Sequence, residues 1–187
     1  MKLYLWTIGI AMAIISAINI ALSTAAWYYI IIATVWCTAL QFAFDGCIAI
    51  IVSKLPDGWF SVNNRLFYIS EAEKRLYKRL KVRRWKDKVW ELGGLGGFSK
   101  KRLASPDDPA YIEKFIIECN KGVVVHRLSY FIGFLAMLTL TGVSKFSIAL
   151  PVALVNLYLN ILPTLALRYN TPKLKSMLAR MRRIREE

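Results

Sequence analysis

The chain reads as an all-α integral membrane protein with about four transmembrane helices, on three observations. Of its 187 residues 56% are hydrophobic, and the mean hydropathy is +0.40. Four apolar stretches match the roughly 20 residues that a helix needs to cross a bilayer. The net charge of +14 is confined almost entirely to the segments between and after them. An ordinary soluble domain shows neither the hydropathy nor the segregation. The expected spans are residues 3–22, 27–52, 123–143 and 146–167. A basic helical region, 53–122, lies between the second and third, and an amphipathic helix, 172–187, follows the last; the whole is one membrane domain.

Residues 53–127 hold 17 Lys/Arg against 9 Asp/Glu, and residues 168–187 hold 7 against 2. Short cationic segments stay on the cytoplasmic side, so the middle region and both termini are expected there, in a multi-pass protein of the cell membrane. Lys2 marks the N-terminal side, and the linker Ser23–Ala26 and the turn at Ser144–Lys145 face outward. The three cysteines make no disulfide framework: Cys37 and Cys47 share one helix, and Cys119 falls in a reducing compartment. One histidine is too few for the usual metal sites, and no cysteine pair has zinc-ligand spacing. No metal and no bound cofactor are therefore expected.

Met1–Leu22 has the charge, apolar run and small-residue flank of a signal peptide. Its run of about 18 residues exceeds a typical signal core, so a retained span is expected. The second span opens on Trp27, Tyr28 and Tyr29, an interfacial aromatic belt, and its one charge is Asp45. An acid inside a span marks either a functional site or contact with headgroups and water.

In the middle region, Pro56-Asp57-Gly58 is a turn by fixed φ, side-chain capping and a permissive residue. Ser70 followed by Glu73 is a capping-box pattern that opens a helix over Glu71–Arg79. Residues 82–91 then interleave Trp85 and Trp90 with Arg83, Arg84, Lys86 and Lys88. Between membrane spans this pattern suits anionic headgroups or a donor's phosphates better than nucleic acid, and no nucleic-acid partner is expected. A polybasic belt that only seats the loop on the bilayer is the plainer alternative. Gly93–Gly97 lacks the ending of a phosphate-binding loop and follows no strand, which leaves a flexible lid or close packing. Asp108 can cap the helix that starts near Tyr111.

Tyr111 to Tyr130 begins as a charged amphipathic helix and ends apolar, and the single histidine, His126, sits where the halves meet, beside Arg127. An imidazole at a water–membrane boundary suits proton transfer with a lipid-dissolved substrate. A snorkelling histidine without a role is the plainer alternative. The last two spans form a hairpin about Lys145. His126 is 19 residues before Lys145 and Thr164 is 19 after it, so in antiparallel helices the two share a depth. Asn160 falls about one turn deeper and Arg168 about one turn shallower, and the three are expected to converge. Asn156 shares a face with Asn160 and is assigned to helix packing. Beyond Pro172 comes a basic amphipathic helix with Leu174, Met177, Leu178, Met181 and Ile184 as its stripe, expected to lie on the inner leaflet.

Several short patterns occur in order from about Trp36 to the C-terminus. They are Pro56-Asp57-x-x-Phe60, Val82-Arg-Arg-Trp-Lys-x-Lys88, Ile112-Glu113-Lys114, and Ile116-Ile117-Glu118 followed eight residues later by His126. Asn160, Pro163 and Arg168-Tyr169-Asn170-x-Pro172-x-Leu174 complete the set. Together they resemble the glycosyl-4,4'-diaponeurosporenoate acyltransferase family of staphyloxanthin-type carotenoid biosynthesis, with the first span and the Gly-rich stretch as additions. The resemblance implies a small membrane enzyme that esterifies a sugar hydroxyl of a glycosylated carotenoid with a fatty acyl group; a glycolipid or a polyprenyl-linked sugar is an equally open acceptor.

For such chemistry, His126 is the candidate general base, drawing the proton from an acceptor hydroxyl as it attacks a thioester. Arg168 and the amide of Asn160 are the candidate oxyanion stabilisers. Arg83, Arg84, Lys86 and Lys88 would hold the phosphates of acyl-CoA or the acidic surface of an acyl carrier protein, the expected co-substrate. Trp85, Glu118 and Asn170 complete the expected substrate-binding set. The expected partners are membrane lipids, a lipid-soluble acceptor and the acyl donor. Glu118 lies about 12 Å from His126 along a continuous helix, too far to orient it unless Gly122 breaks that helix. A covalent route through Cys119 is conceivable, but that thiol also fits the apolar face. Two alternatives remain: a non-enzymatic polybasic scaffold that binds lipid, and another membrane-embedded lipid or isoprenoid transferase. The chain lacks the clustered aspartates that a two-metal phosphotransferase needs.

Overall fold

Apolar segments without water must close their own backbone hydrogen bonds, and this chain closes them as helices. The computed structural model describes residues 2–89 and 103–186, with the side chains of Lys2 and Leu3 left out. Trp90 and Gly93–Gly97, two of the features singled out above, lie outside the described residues. Four elements are long and apolar enough to cross a membrane, and no strand occurs among the described residues. They are α1 (Lys2–Leu22), α2 (Trp27–Ser53), α5 (Pro109–Ile132, prolonged by a 3-10 segment, Gly133–Thr139) and α6 (Leu150–Glu186, led in by a π-helical turn, Lys145–Ala149). Between α2 and α5 lie 3-10 turns at Asp57–Phe60 and Arg65–Phe67, α3 (Glu71–Arg79), α4 (Val82–Trp85) and a further 3-10 turn, Lys86–Lys88. Ser70 caps α3 as expected, its hydroxyl accepting from the Glu73 amide at 3.2 Å.

The chain divides into two compact units, residues 1–50 with 125–161 and residues 51–124 with 162–187. In the first, Ile15, Ile30, Ala33, Cys37, Ile148, Ala149 and Val152 form one apolar core. Polar bonds tie its helices at places where a regular ladder fails. Asn19 Nδ2 donates to the Ser147 carbonyl at 2.8 Å, inside the π-helical turn. Gln41 Nε2 donates to the Gly133 carbonyl at 2.7 Å, where α5 tightens into its 3-10 segment. Gly142, at φ +57°, turns the chain between the last two spans, and a residue with a Cβ would be strained there.

The second unit has its main core on α5 and α6. Val62, Ile112, Phe115, Ile116, Cys119, Val123, Leu167, Leu174 and Leu178 pack together. A smaller cluster joins Ile69, Tyr77 and Val82 with the partly buried Trp85, Leu165 and Tyr169.

As expected, α5 is continuous through Gly122 and past His126. Two expectations change. Pro172 does not separate a terminal helix, because α6 runs from Leu150 to Glu186 through Pro163 and Pro172. A proline inside a helix costs about 3 kcal/mol. Burying Leu167, Leu174 and Leu178 offsets that at roughly 1.5–3 kcal/mol each. Thr171 Oγ1 supplies an added donor to the Leu167 carbonyl at 3.1 Å. Second, Leu174 and Leu178, with Met177 and Met181, face the protein's own core instead of the inner leaflet. The complementary stripe on α5, Ile112–Phe115–Ile116–Cys119, is what they cover.

Candidate active site

Three helices of the first unit each carry two polar residues three or four positions apart inside an apolar stretch. These are Gln41 and Asp45 on α2, His126 and Ser129 on α5, and Asn156 and Asn160 on α6. That spacing puts both members of a pair on one helix face, and the six meet in one cluster. Gln41, Ser129, Asn156 and Asn160 are buried, while His126 and Asp45 are half-buried.

Asn160 is the centre. Its Nδ2 lies 3.2 Å from Asp45 Oδ2 and 3.1 Å from both the carbonyl and the Oδ1 of Asn156, all of them acceptors. Its Oδ1 lies 2.7 Å from His126 Nδ1. An amide oxygen only accepts, so the hydrogen of this bond sits on Nδ1, and in the neutral ring Nε2 carries the lone pair. His126 and Asn160, expected to converge, are thus in direct contact. The donors of Asn160 point inward, which makes the residue an orienter of the imidazole.

Ser129 and Asn156, with Asn160, stand beside the Asp45 carboxyl as donors. Yet Asp45 Oδ1, Ser129 Oγ, Asn156 Nδ2 and Gln41 Oε1 make no hydrogen bond of good length and angle, the buried side-chain atoms of which that is true among the described residues. Buried polar atoms in proteins are nearly always satisfied, and these two donors and two acceptors leave the cluster with hydrogen-bonding capacity that good geometry does not use. Gly133 closes one side: a Cβ there would sit 2.5 Å from Gln41 Oε1 and 2.9 Å from Asn156 Nδ2. A narrow, mostly apolar void of about 30 Å³, room for about one water, is lined by Ile8, Met12, Phe42, Val152 and Leu159 together with Gln41 and Asn156.

The other expected residues belong to the second unit. Arg168 is 5% exposed, and its guanidinium grips Glu73, with Nε to Oε1 at 2.5 Å and Nη2 to Oε2 at 2.7 Å. Nη2 also donates to the Tyr68 carbonyl at 3.0 Å. The Tyr77 hydroxyl donates to the same carboxylate. Burial first, and then the Glu73 carboxylate, push the Tyr77 phenol well above its ordinary value, with Arg168 pulling the other way. Glu118 pairs with Lys121 at 3.6 Å, and Lys121 also meets Asp57 at 2.5 Å and lies over the Phe60 ring. Asn120 Nδ2 donates to the Phe60 carbonyl at 2.9 Å. The Pro56–Phe60 pattern is therefore a segment docked on α5 through Asn120 and Lys121, and Glu118 pairs with Lys121 on their own helix.

Trp85 donates to the Leu80 carbonyl at 3.0 Å and packs on the smaller cluster. Arg83, Arg84 and Lys88 are exposed, Lys86 pairs with Asp87 at 2.7 Å, and Asn170 is half-buried on α6. Cys119 is 2% exposed within the α5–α6 core. Gln41 and Ser129 were missed from the sequence, although their i, i+4 and i, i+3 spacing to Asp45 and His126 was there to be read.

A family model described as glycosyl-4,4'-diaponeurosporenoate acyltransferase matches residues 56–180, about two thirds of the chain. The match includes His126, Ser129, Asn156, Asn160 and Arg168 and begins after Gln41 and Asp45. No curated protein and no solved structure matches.

Proposed function

The chain belongs to the glycosyl-4,4'-diaponeurosporenoate acyltransferase family, and from that premise we propose that it moves a fatty acyl group from a thioester to a sugar hydroxyl of a lipid-soluble acceptor. It is an acyltransferase of carotenoid biosynthesis and a membrane protein; the donor, the acceptor and the residue roles are our reading. The observation that carries it is the Asp45–Asn160–His126 chain, which holds Nδ1 protonated and leaves the lone pair on Nε2.

Nε2 takes the hydroxyl proton while the hydroxyl oxygen attacks the thioester carbonyl. The tetrahedral intermediate collapses by breaking the C–S bond, and the imidazolium returns its proton to the departing thiolate. The products are an ester and a free thiol. Asp45, acting through Asn160, supports the imidazolium that exists between these steps. Asn160 positions the ring, since its own donors are engaged within the cluster. Arg168, gripped by Glu73, fastens α3 to α6 and is assigned to architecture in place of oxyanion stabilisation. The polar side chains of Gln41, Asp45, Ser129 and Asn156 receive the hydroxyls of the acceptor's sugar. The donor is acyl-CoA or an acyl carrier protein on the cytoplasmic side, the side that the basic middle region faces.

The test is product analysis with purified protein in lipid nanodiscs, an acyl thioester and a panel of glycosylated carotenoids and glycolipids. Mass spectrometry should find the acyl group esterified to a sugar hydroxyl. An acyl group found only as free acid, or trapped on Cys119, contradicts the direct transfer.

A further inference from the structure

Because α6 does not stop at Pro172, its last turns present one continuous face. Lys175, Leu178, Arg182 and Arg183 fall at spacings that share this face, opposite the segment Asn63–Tyr68. The two enclose an open groove of about 800 Å³. Ligand pockets commonly span about 300–1,000 Å³. Arg65, Lys175, Arg182 and Arg183 line it against a single acid, Glu186. Lys175 Nζ is anchored on the Val62 carbonyl at 2.5 Å, so one cation is held in place at the groove. Arg182 reaches Glu113 at 2.7 Å, an exposed pair that a stronger anion can displace. Tyr68 adds an aromatic face and Leu178 an apolar floor. Clustered cations, an aromatic ring and an apolar floor together suit a phosphorylated nucleotide, whose phosphates need charge-assisted bonds and whose base needs a flat partner.

We propose that this groove is where the phosphate-bearing nucleotide end of a coenzyme A-type thioester docks. The inference rests on the thioester reading of the donor and moves the docking point away from Arg83–Lys88. The latter cations sit on the four-residue α4 and the 3-10 turn after it, and Trp85 between them is committed to packing. A phosphate cluster could also come from an anionic lipid headgroup, and the experiment separates the two sources.

The probe is free coenzyme A, titrated calorimetrically into the full-length protein in nanodiscs of zwitterionic lipid. Arg65→Glu and Arg183→Glu, both surface changes, should each weaken binding on the order of tenfold, the effect of turning one charge-assisted contact into repulsion. Adenosine 3',5'-bisphosphate should compete with coenzyme A. Melting temperatures of the variants should match the unsubstituted protein, so that lost binding is not lost folding.

Unchanged affinity in both variants overturns the groove, as does a larger loss on reversing Arg83 and Arg84. Variants that keep coenzyme A but lose retention on phosphatidylglycerol vesicles overturn it in favour of headgroups. No coenzyme A binding by a protein that still forms ester from an acyl carrier protein overturns the groove and leaves acyl transfer standing. Coenzyme A binding that follows the groove charges, in a protein that forms no ester, supports the groove and removes the transfer reading instead.

Discussion

Nδ1 of His126 meets an amide oxygen, and the other end of that amide meets acceptors on Asp45 and Asn156, so a side chain 34 positions away in sequence sets which imidazole nitrogen carries the hydrogen. Removing the orienting amide should harm turnover more than binding. Asn160→Ala is expected to lower kcat on the order of 10–100-fold, the size of effect known for partners that orient metal-bound histidines, with KM for the thioester little changed. Steady-state kinetics check it; a rise in KM with kcat intact contradicts the positioning role. Gly133 supplies a second residue-scale test. Gly133→Ala would bring a methyl to 2.5 Å from Gln41 Oε1, while Gln41 is already bonded to the Gly133 carbonyl. Crowding of this kind costs about 1–3 kcal/mol, so the melting temperature should fall, and a variant as stable as its parent would contradict the close approach. The His126–Asn160 contact was legible in the sequence, because counting from the hairpin at Lys145 sets Asn160 within about one turn of the depth of His126. The Glu73–Arg168 grip was not: 95 residues separate the two, and the capping pattern at Ser70 had already given Glu73 a local role.

At the scale of elements, the helices that could be read are those whose local chemistry and long-range packing agree. Ser70 caps α3 because its hydroxyl competes for the orphan amide of Glu73, a contact written in four consecutive residues. Pro172 misled for the opposite reason. Its local preference is to end a helix, but Leu174 and Leu178 find Ile112, Phe115 and Ile116 across the core, and packing wins. The same contest explains why the terminal stripe turns inward: an apolar face complementary to α5 within the chain is available before any bilayer surface. Arg168→Ala tests how α3 is held. It would leave the Glu73 carboxylate beside the Tyr77 hydroxyl without its cation. Breaking a buried pair from one side costs about 3 kcal/mol. Hydrogen exchange should therefore quicken in Glu71–Arg79 while the first unit keeps its protection. Unchanged exchange in α3, with acyl transfer abolished, would return Arg168 to the chemistry.

For the whole molecule, four apolar helices, a basic middle and a basic end were readable because bilayer thickness and charge segregation act on long stretches, where single-residue exceptions average out. The composition of the cluster was less readable. It draws Gln41 and Asp45 from a part of the chain that precedes the family match; Asp45 stood out as an acid inside a span, but nothing in the motifs or the matched region pointed to Gln41. The orientation predicts that an impermeant thiol reagent added outside cells labels Thr24→Cys and misses Asp107→Cys, in a background without the native cysteines. Reversed labelling would move the donor side to the other face. The central claim is that His126 carries the proton in acyl transfer by this membrane enzyme, and the most direct measurement is single-turnover ester formation by His126→Gln beside the unsubstituted protein, with melting temperatures taken on the same samples. Gln keeps hydrogen bonding to Asn160 but supplies no base, so the rate should drop on the order of 10²–10⁴-fold at equal stability. Ester formed at the unsubstituted rate by a folded His126→Gln protein would contradict it.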